Sequence, residues 1–284
     1  MKVFVTGSKG MLGTDLVNQL KIENHDINAV DIDNLDICDL NQVIESISDY
    51  KPDVIINCAA YTNVDRCETD IDNAYRVNSI GPKNLAIVSN QLDIPLLHIS
   101  TDYVFDGETN KPYIEGDVTN PQSVYGKSKL FGEENVKNFT NKYFIVRTQW
   151  LYGKNGKNFV KTMLSLAENN SSLTVVNDQF GSPTYTKDLC EVICEIIKTK
   201  AFGIYHVTNS GICSWFEFTK CIMELAGTGT GVNIQVNPCK TEEFPRPAKR
   251  PKFSPLDNFN LKLCGFKQLR HFSEALKDYL KEIL

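Results

Sequence analysis

Short apolar runs alternate with amphipathic stretches along the first half of the chain. The first run, residues 3–5, ends at Gly7, and apolar residues then recur at helical spacing from Met11 to Leu20. Four similar runs, separated by stretches with helical spacing, follow at residues 27–30, 54–56, 96–99 and 143–146. Because nearly every position in these runs is apolar, they predict strands of a parallel sheet that helices cover on both faces.

The pattern is less regular beyond residue 150. Helical stretches near residues 159–166, 187–197 and 215–225 alternate with short strands, and a proline-rich stretch covers residues 244–255. We therefore expect an α/β protein of two parts. Residues 1–150 would form a Rossmann-type, doubly wound parallel sheet. Residues 151–284 would form a smaller mixed α/β domain that mainly binds substrate. The chain is free to cross back from this domain to the first one.

The charge balance and the cysteine pattern narrow the class of protein. Lys and Arg number 30 against 35 Asp and Glu, so the net charge of −5 gives no general attraction to nucleic acid or to anionic membranes. No apolar run approaches the roughly 18 residues that span a bilayer, and we expect no signal peptide. The nine cysteines include no C-x-x-C pair, so we expect reduced thiols, no metal centre and a cytoplasmic location.

A glycine-rich turn follows the first predicted strand and opens the first predicted helix. Gly7, Gly10 and Gly13 recur at intervals of three, which lets backbone amides approach a pyrophosphate at the helix N-terminus. Asp31 ends the second strand, where a carboxylate can accept hydrogen bonds from an adenosine ribose. We therefore expect a dinucleotide-binding domain for NADH or NADPH. The choice stays open, because Asp31 would repel a 2′-phosphate whereas Lys9 would attract one.

Two residues after the second strand are candidates for contact with adenine. Asp39 can accept a hydrogen bond from the amino group, and Leu40 can cover a face of the ring. An N-cap of the following helix is an equally good interpretation of Asp39.

A Tyr-x-x-x-Lys pair follows the fourth predicted strand. Tyr125 and Lys129 lie four residues apart, so one face of a helix would carry both. A phenol with its ordinary pKa of about 10 is a poor acid–base catalyst at neutral pH, but a nearby ammonium lowers that pKa. Thr101, at the end of the fourth strand, can hold a carbonyl oxygen beside Tyr125. Together with the glycine-rich turn, these residues predict reduction of a carbonyl by a nicotinamide cofactor.

These motifs resemble the extended short-chain dehydrogenase/reductase superfamily, and five further stretches resemble its dTDP-4-dehydrorhamnose reductase family. The stretches are residues 58–65 (CAAYTNVD), 100–107 (STDYVFDG), 147–153 (RTQWLYG), 177–184 (NDQFGSPT) and 246–251 (RPAKRP). The resemblance runs from residue 2 to nearly the C-terminus. It implies NAD(P)H-dependent reduction of the 4-keto group of dTDP-4-dehydro-L-rhamnose to dTDP-L-rhamnose, which completes this nucleotide sugar for polysaccharide biosynthesis.

The matching positions imply a role for each candidate residue. Tyr125 would donate the proton, Lys129 would tune the pKa of Tyr125, and Thr101 would polarise the carbonyl. The residues implied to bind the cofactor are Gly7, Lys9, Gly10, Met11, Leu12, Gly13, Asp31, Asp39, Leu40, Ala59, Ala60, Tyr61, Thr62, Ile99, Tyr125 and Lys129. Those implied to bind the substrate are Val64, Thr101, Asp102, Tyr103, Tyr125, Trp150 and Arg250.

Several features of the sequence leave alternatives open. Gln149 departs from the family pattern, in which a serine often precedes the tryptophan, and this affects the shape of the sugar pocket. The family also implies that a homodimer can form and that Mg²⁺ can bind through acidic residues such as Asp15, but no cluster of carboxylates supports that site. Two alternative functions are a reductase of a different nucleotide-linked keto-sugar and a non-catalytic regulatory subunit like that of methionine adenosyltransferase.

Overall fold

The computed structural model describes residues 1–230 and 234–284 as strands and helices in alternation. The strands are β1 (Lys2–Thr6), β2 (Asp26–Val30), β3 (Val54–Asn57), β4 (Leu96–Thr101), β5 (Tyr143–Thr148), β6 (Leu151–Tyr152), β7 (Ser172–Val176), β8 (Phe180–Gly181), β9 (Thr184–Tyr185), β10 (Gly203–His206), β11 (Cys213–Ser214) and β12 (Gln235–Cys239). The α-helices are α1 (Met11–Ile22), α2 (Leu40–Tyr50), α3 (Val64–Cys67), α4 (Ile71–Tyr75), α5 (Gly81–Gln91), α6 (Val124–Phe139), α7 (Phe159–Asn169), α8 (Thr186–Ile196), α9 (Trp215–Thr230), α10 (Phe259–Leu263) and α11 (Phe272–Ile283).

Six strands form one parallel sheet in the order β2-β1-β3-β4-β5-β10. The predicted Rossmann-type α/β fold is therefore confirmed. Successive side chains of β1 are buried on opposite faces: Val3 and Val5 pack with α1 and α8, and Phe4 packs with α2 and α5. Because β1 lies between β2 and β3, the chain reverses direction across the sheet at this point. Such a reversal opens a crevice beyond the carboxyl ends of β1 and β3.

The C-terminal half joins this sheet and also forms a second core. β10 pairs with β5 in parallel, with Gly203 opposite Phe144, and α8 packs beside α1. The second core lies among α7, α9 and α11 and includes Val160, Phe218 and Tyr279. The chain thus crosses back into the first sheet after residue 150, and the assignment of residues 151–284 to substrate binding stays a prediction.

One predicted helix differs from the structure in a way that affects the site. Apolar spacing from Ala74 to Val88 predicts a regular helix, but a π-helical turn, Arg76–Ile80, separates α4 from α5. The buried side chain of Asn78 lies in this turn. It accepts from the N–H of Tyr61 at 2.8 Å and donates to the C=O of Tyr61 at 3.1 Å. The turn therefore fixes the segment after β3 in place.

Within residues 1–230 and 234–284, no helix combines the length and the apolar character needed to cross a bilayer.

Candidate active site

The turn after β1 packs its glycines tightly against neighbouring backbone. Gly7 has a φ of +66°, and a Cβ there would lie 2.5 Å from the backbone nitrogen of Ala59. A Cβ on Gly13 would lie 2.1 Å from the carbonyl oxygen of Gly7. Only glycine fits these positions without displacing the turn. Gly10 is the N-cap of α1 and has no side chain to cap it, so the first amides of α1 are available to an anion.

A cavity of about 430 Å³, the outer cavity, lies between this turn and the ends of β2 and β3. The Asp31 carboxylate accepts hydrogen bonds from the N–H groups of Lys9 and Ile32, both at 2.8 Å, which fix its orientation at the cavity wall. The Lys9 ammonium pairs with Asp33. The predicted cofactor residues that line the outer cavity are Gly7, Lys9, Gly10, Asp31, Ala59, Ala60 and Tyr61.

A cavity of about 540 Å³, the inner cavity, lies between the carboxyl end of β4, the start of α6 and the C-terminal half. It shares Gly10, Cys58 and Ala60 with the outer cavity, so the two cavities meet at the glycine-rich turn. An uncapped helix start between two cavities suits a dinucleotide, whose pyrophosphate joins two nucleosides. The predicted site residues that line the inner cavity are Gly10, Met11, Leu12, Gly13, Ala60, Thr62, Val64, Ile99, Thr101, Asp102, Tyr103, Tyr125, Lys129 and Trp150.

Asp39 and Leu40 do not line either cavity. Asp39 is the N-cap of α2, and its Oδ1 accepts from the N–H groups of Asn41 at 3.0 Å and Gln42 at 3.3 Å. Leu40 packs at the edge of the core between the sheet and α2. The geometry fits the capping interpretation of Asp39, and contact of these two residues with adenine stays a prediction.

Thr101 and Tyr125 meet in the inner cavity. Ser123 caps α6 by accepting from the N–H of Gly126 at 3.2 Å, which fixes the first turn and therefore Tyr125. The ring of Tyr103 packs edge-on against Tyr125, with centroids 5.4 Å apart. Burial raises the pKa of Tyr125, and the hydrogen bond with Thr101 only partly opposes this rise. The phenol thus keeps its proton at neutral pH, as a group that protonates a carbonyl oxygen must.

Lys129 is buried one turn after Tyr125. Its Nζ donates to the C=O of Ile99 at 2.6 Å and lies 3.5 Å from His98 Nε2. Burial lowers the pKa of Lys129 to about 8, and the Glu133 carboxylate opposes this effect. The Lys129 ammonium thus donates a hydrogen bond to the backbone of β4. The pKa of Tyr125, in contrast, is influenced mainly by burial. A direct effect of Lys129 on the phenol stays a prediction.

Asp102 connects Thr101 to the C-terminal half. Its Oδ1 accepts from Thr101 Oγ1 at 2.9 Å, and its Oδ2 accepts from Ser254 Oγ at 2.6 Å. Burial raises the pKa of Asp102 to about 6, although both hydroxyl groups oppose the rise. Ser254 was not identifiable from the sequence, because it lies 152 residues from Asp102 and belongs to no motif with it.

Two tryptophans form an apolar wall of the inner cavity. The rings of Trp150 and Trp215 stack with centroids 3.4 Å apart and an interplanar angle of 8°. A Cβ on Gly181 would lie 2.5 Å from the Trp150 ring, so β8 passes directly behind this wall. Trp215 was not identified from the sequence, and Gly181 had no assigned role within residues 177–184, since nothing in their spacing connects them with Trp150. An apolar wall of this kind suits a sugar ring that carries few hydroxyl groups.

The basic stretch at residues 246–251 lies beside the inner cavity but does not line it. Arg250 donates from Nη1 and Nη2 to the two carboxylate oxygens of Asp65, at 2.9 and 3.0 Å. Arg246 Nη1 lies 3.9 Å from the same carboxylate. Asp65 directly follows Val64, which lines the inner cavity, so the Arg250–Asp65 ion pair stabilises this part of the cavity wall. A contact between Arg250 and a diphosphate stays a prediction.

Asp15 is hydrogen-bonded to two neighbouring side chains. Its carboxylate accepts from Asn155 Nδ2 at 2.8 Å and from Thr186 Oγ1. In the part of the chain that the structure describes, no three His, Cys, Asp or Glu side chains are grouped as a metal ion would need. The side chains that contact Asp15 are thus an amide and a hydroxyl group and not a second carboxylate, and binding of Mg²⁺ stays a prediction.

Fold and site together define a Rossmann-type α/β protein in which Thr, Tyr and Lys meet beside a glycine-rich turn. The model of the RmlD substrate binding domain family matches residues 1–284. SpsK of Bacillus subtilis (strain 168), a spore coat polysaccharide biosynthesis protein, is 45% identical over 281 residues, which cover 99% of this chain and 97% of SpsK. The chain belongs to the RmlD substrate binding domain family, which confirms the family predicted from its sequence.

Two solved structures are similar over the whole chain. A dTDP-4-dehydrorhamnose reductase from Clostridium acetobutylicum superposes with a TM-score of 0.96 at 48% identity, covering 100% of this chain and 99% of that one. A dTDP-4-dehydrorhamnose reductase from Bacillus anthracis, solved in complex with NADP, has a TM-score of 0.95 at 44% identity and covers 99% of each chain.

Proposed function

We propose that this protein reduces the 4-keto group of dTDP-4-dehydro-L-rhamnose to the alcohol, giving dTDP-L-rhamnose. The observation that carries the proposal is the meeting of Thr101, Tyr125 and Lys129 in the inner cavity, which continues past the glycine-rich turn into the outer cavity. The similar proteins from Clostridium acetobutylicum and Bacillus anthracis are named for this activity. The name of SpsK supports a place in polysaccharide biosynthesis.

A reduced nicotinamide dinucleotide is the hydride source in this proposal. The free amides at the start of α1 would hold its pyrophosphate, Asp31 would accept hydrogen bonds from its adenosine ribose, and Ile99 would line the nicotinamide side. When bound, the cofactor supplies a hydride to C4 of the sugar. Both NADH and NADPH remain candidates. The similar protein from Bacillus anthracis was solved in complex with NADP.

The protein's own residues complete the reduction. Tyr125 donates its phenolic proton to the O4 oxygen as C4 gains the hydride, so that the ketone becomes an alcohol. Thr101 holds the same oxygen beside the phenol, and solvent returns a proton to Tyr125 afterwards. Trp150 and Trp215 give the cavity an apolar wall beside the ring and its methyl group. No metal ion takes part in this proposal.

Oxidation of NADH and of NADPH, followed at the nicotinamide absorbance band with dTDP-4-dehydro-L-rhamnose generated in situ, tests the proposal. We expect substrate-dependent oxidation. Tyr125→Phe should lower kcat by about 10²- to 10⁴-fold, because the proton donor is lost, and leave the Kd of the cofactor nearly unchanged. Tyr143→Phe, at a half-buried tyrosine at the start of β5, serves as the matched control.

The outcomes separate the alternative functions. Oxidation only with another dTDP-linked or differently linked keto-sugar would assign a different substrate. Cofactor binding without oxidation of any keto-sugar would favour a regulatory subunit. Full activity of Tyr125→Phe would contradict the role of Tyr125. The cytoplasmic location and the homodimer stay predictions.

A further inference from the structure

Two adjacent side chains at the wall of the inner cavity carry buried polar atoms that lack a partner. Among the residues that the structure describes, four buried side-chain atoms have no hydrogen bond, and two of them are Thr148 Oγ1 and Gln149 Nε2. Thr148 is 4% exposed and Gln149 is 2% exposed, and both line the inner cavity. Because unpaired buried polar atoms destabilise a folded protein, such atoms at a cavity wall indicate a place for a ligand's polar group.

The strand register places Thr148 directly beside the reacting groups. In the parallel ladder of β4 and β5, Thr148 is the partner of Thr101. Neighbouring strands lie about 4.8 Å apart, and paired residues of parallel strands face the same side of the sheet. Gln149 is the next residue, beyond the end of β5. A group attached next to a carbonyl held by Thr101 and Tyr125 would therefore reach this pair.

The surroundings hold Gln149 in position and leave its amide nitrogen unpaired. Ser254 Oγ lies 3.5 Å from Gln149 Oε1, and a Cβ on Gly181 would lie 2.8 Å from that oxygen. Asp102, which lines the same cavity, already accepts a hydrogen bond from a hydroxyl group at each carboxylate oxygen. A ligand hydroxyl can thus pair with Thr148 and Gln149 without displacing an existing hydrogen bond.

We propose that Thr148 and Gln149 bind the C3 hydroxyl of the sugar and thereby determine which keto-hexoses the site accepts. This inference rests on the proposed function. In a 4-keto-6-deoxyhexose, the neighbours of the carbonyl carbon are C3, which bears a hydroxyl group, and C5, which bears a methyl group. The methyl side matches the tryptophan wall, and the hydroxyl side matches the unpaired polar atoms. A site with such atoms discriminates against a sugar that lacks the hydroxyl, because the atoms then stay unpaired.

Two variants and three sugars test the inference. Gln149→Met removes the amide at similar length, Thr148→Val removes the hydroxyl at similar shape, and Gln91→Met, at an exposed glutamine at the end of α5, is the matched control. Each is assayed with the parent dTDP-linked 4-keto-6-deoxyhexose and with its 2-deoxy and 3-deoxy counterparts. The thermal midpoint Tm and the Kd of the cofactor are measured alongside kcat and KM.

We expect each variant at the wall to lower kcat/KM about 10- to 100-fold for the parent and 2-deoxy sugars. The loss with the 3-deoxy sugar should stay within about threefold, since no hydroxyl is there to be recognised. The Tm of Thr148→Val should stay equal to or above that of the wild type, because Thr148 Oγ1 has no internal hydrogen bond to lose. Gln149→Met also removes Oε1 and its 3.5 Å contact with Ser254 Oγ, so a small decrease in Tm is expected for this variant.

Other results would overturn the inference. Equal losses with all three sugars would show that neither residue recognises the C3 hydroxyl, and a loss tied to the 2-hydroxyl would assign a different contact. A lowered Tm in both variants would indicate a structural role. A wild type that reduces none of these sugars would overturn the proposed function as well. Turnover of the parent sugar without any dependence on the C3 hydroxyl would overturn the present inference alone.

Discussion

Arg147 on β5 and Glu133 on α6 form an ion pair that is almost completely buried next to the inner cavity. Their side chains are 3% and 0% exposed. Arg147 donates from Nε to Glu133 Oε1 at 2.9 Å and from Nη2 to Oε2 at 2.7 Å, and Ser100 Oγ donates to Oε1 at 2.5 Å. Glu133 lies one helical turn after Lys129, so the pair holds the helix that carries the candidate catalytic residues against the sheet.

The geometry sets the size of the expected effects. Arg147→Met removes both donors that bond Glu133 and leaves Glu133 Oε2 buried without a partner, which should cost about 3–5 kcal/mol of unfolding free energy. Glu133→Leu should cost a similar amount, because it leaves a buried guanidinium unpaired. The double variant buries neither charge. Its loss of unfolding free energy should therefore be smaller than the sum of the two single losses by about 2 kcal/mol or more.

Urea unfolding at neutral pH, followed by tryptophan fluorescence and circular dichroism and extrapolated linearly to water, measures these energies. The matched control is Lys267→Met, because Lys267 and Glu191 form an ion pair with side chains 59% and 46% exposed. The control should change the unfolding free energy by less than about 1 kcal/mol. A cost of Arg147→Met equal to that of the control, or additive costs in the double variant, would refute this reasoning.

Three further predictions concern the two cavities. Gly13→Ala should weaken cofactor binding about tenfold or more in a fluorescence titration, because the new Cβ would lie 2.1 Å from the Gly7 oxygen; unchanged affinity would contradict the need for glycine. Burial raises the pKa of Asp102 to about 6 from about 3.9 in the unfolded chain. The stability that the folded protein gains by holding this proton more tightly is therefore lost as the pH rises through about 6. The unfolding free energy of Asp102→Asn relative to the wild type should therefore rise by about 2 kcal/mol from about pH 4.5 to about pH 8, and a difference independent of pH would argue against a buried carboxyl. Asp33→Asn releases the Lys9 ammonium from its partner and should lower the KM for NADPH about two- to fivefold while leaving that for NADH unchanged; equal changes for both cofactors would exclude contact between Lys9 and the 2′-phosphate.

Local patterns in the sequence determined the class of fold and the main candidates for the site. Uninterrupted apolar runs are typical of parallel strands, because both faces of such a sheet are buried. Tyr125 and Lys129 could be assigned to one face of a helix because a four-residue spacing brings side chains together within one turn. Glycine at positions 7 and 13 was recognisable from the same local logic, and the structure shows close backbone contacts at both.

Contacts between distant segments were decided only by the tertiary structure. From the C-terminal half, Trp215 lines the inner cavity and Ser254 donates to Asp102, and Arg250 pairs with Asp65. The pKa of Tyr125 was also decided by the tertiary structure. Burial by several segments raises this pKa and outweighs the hydrogen bond with Thr101. Helical and strand periodicity depends on residues a few positions apart, whereas burial and long-range hydrogen bonds depend on how the whole chain packs. The sequence therefore determined which elements form, and tertiary packing decided which side chains share a cavity and which charges are already paired.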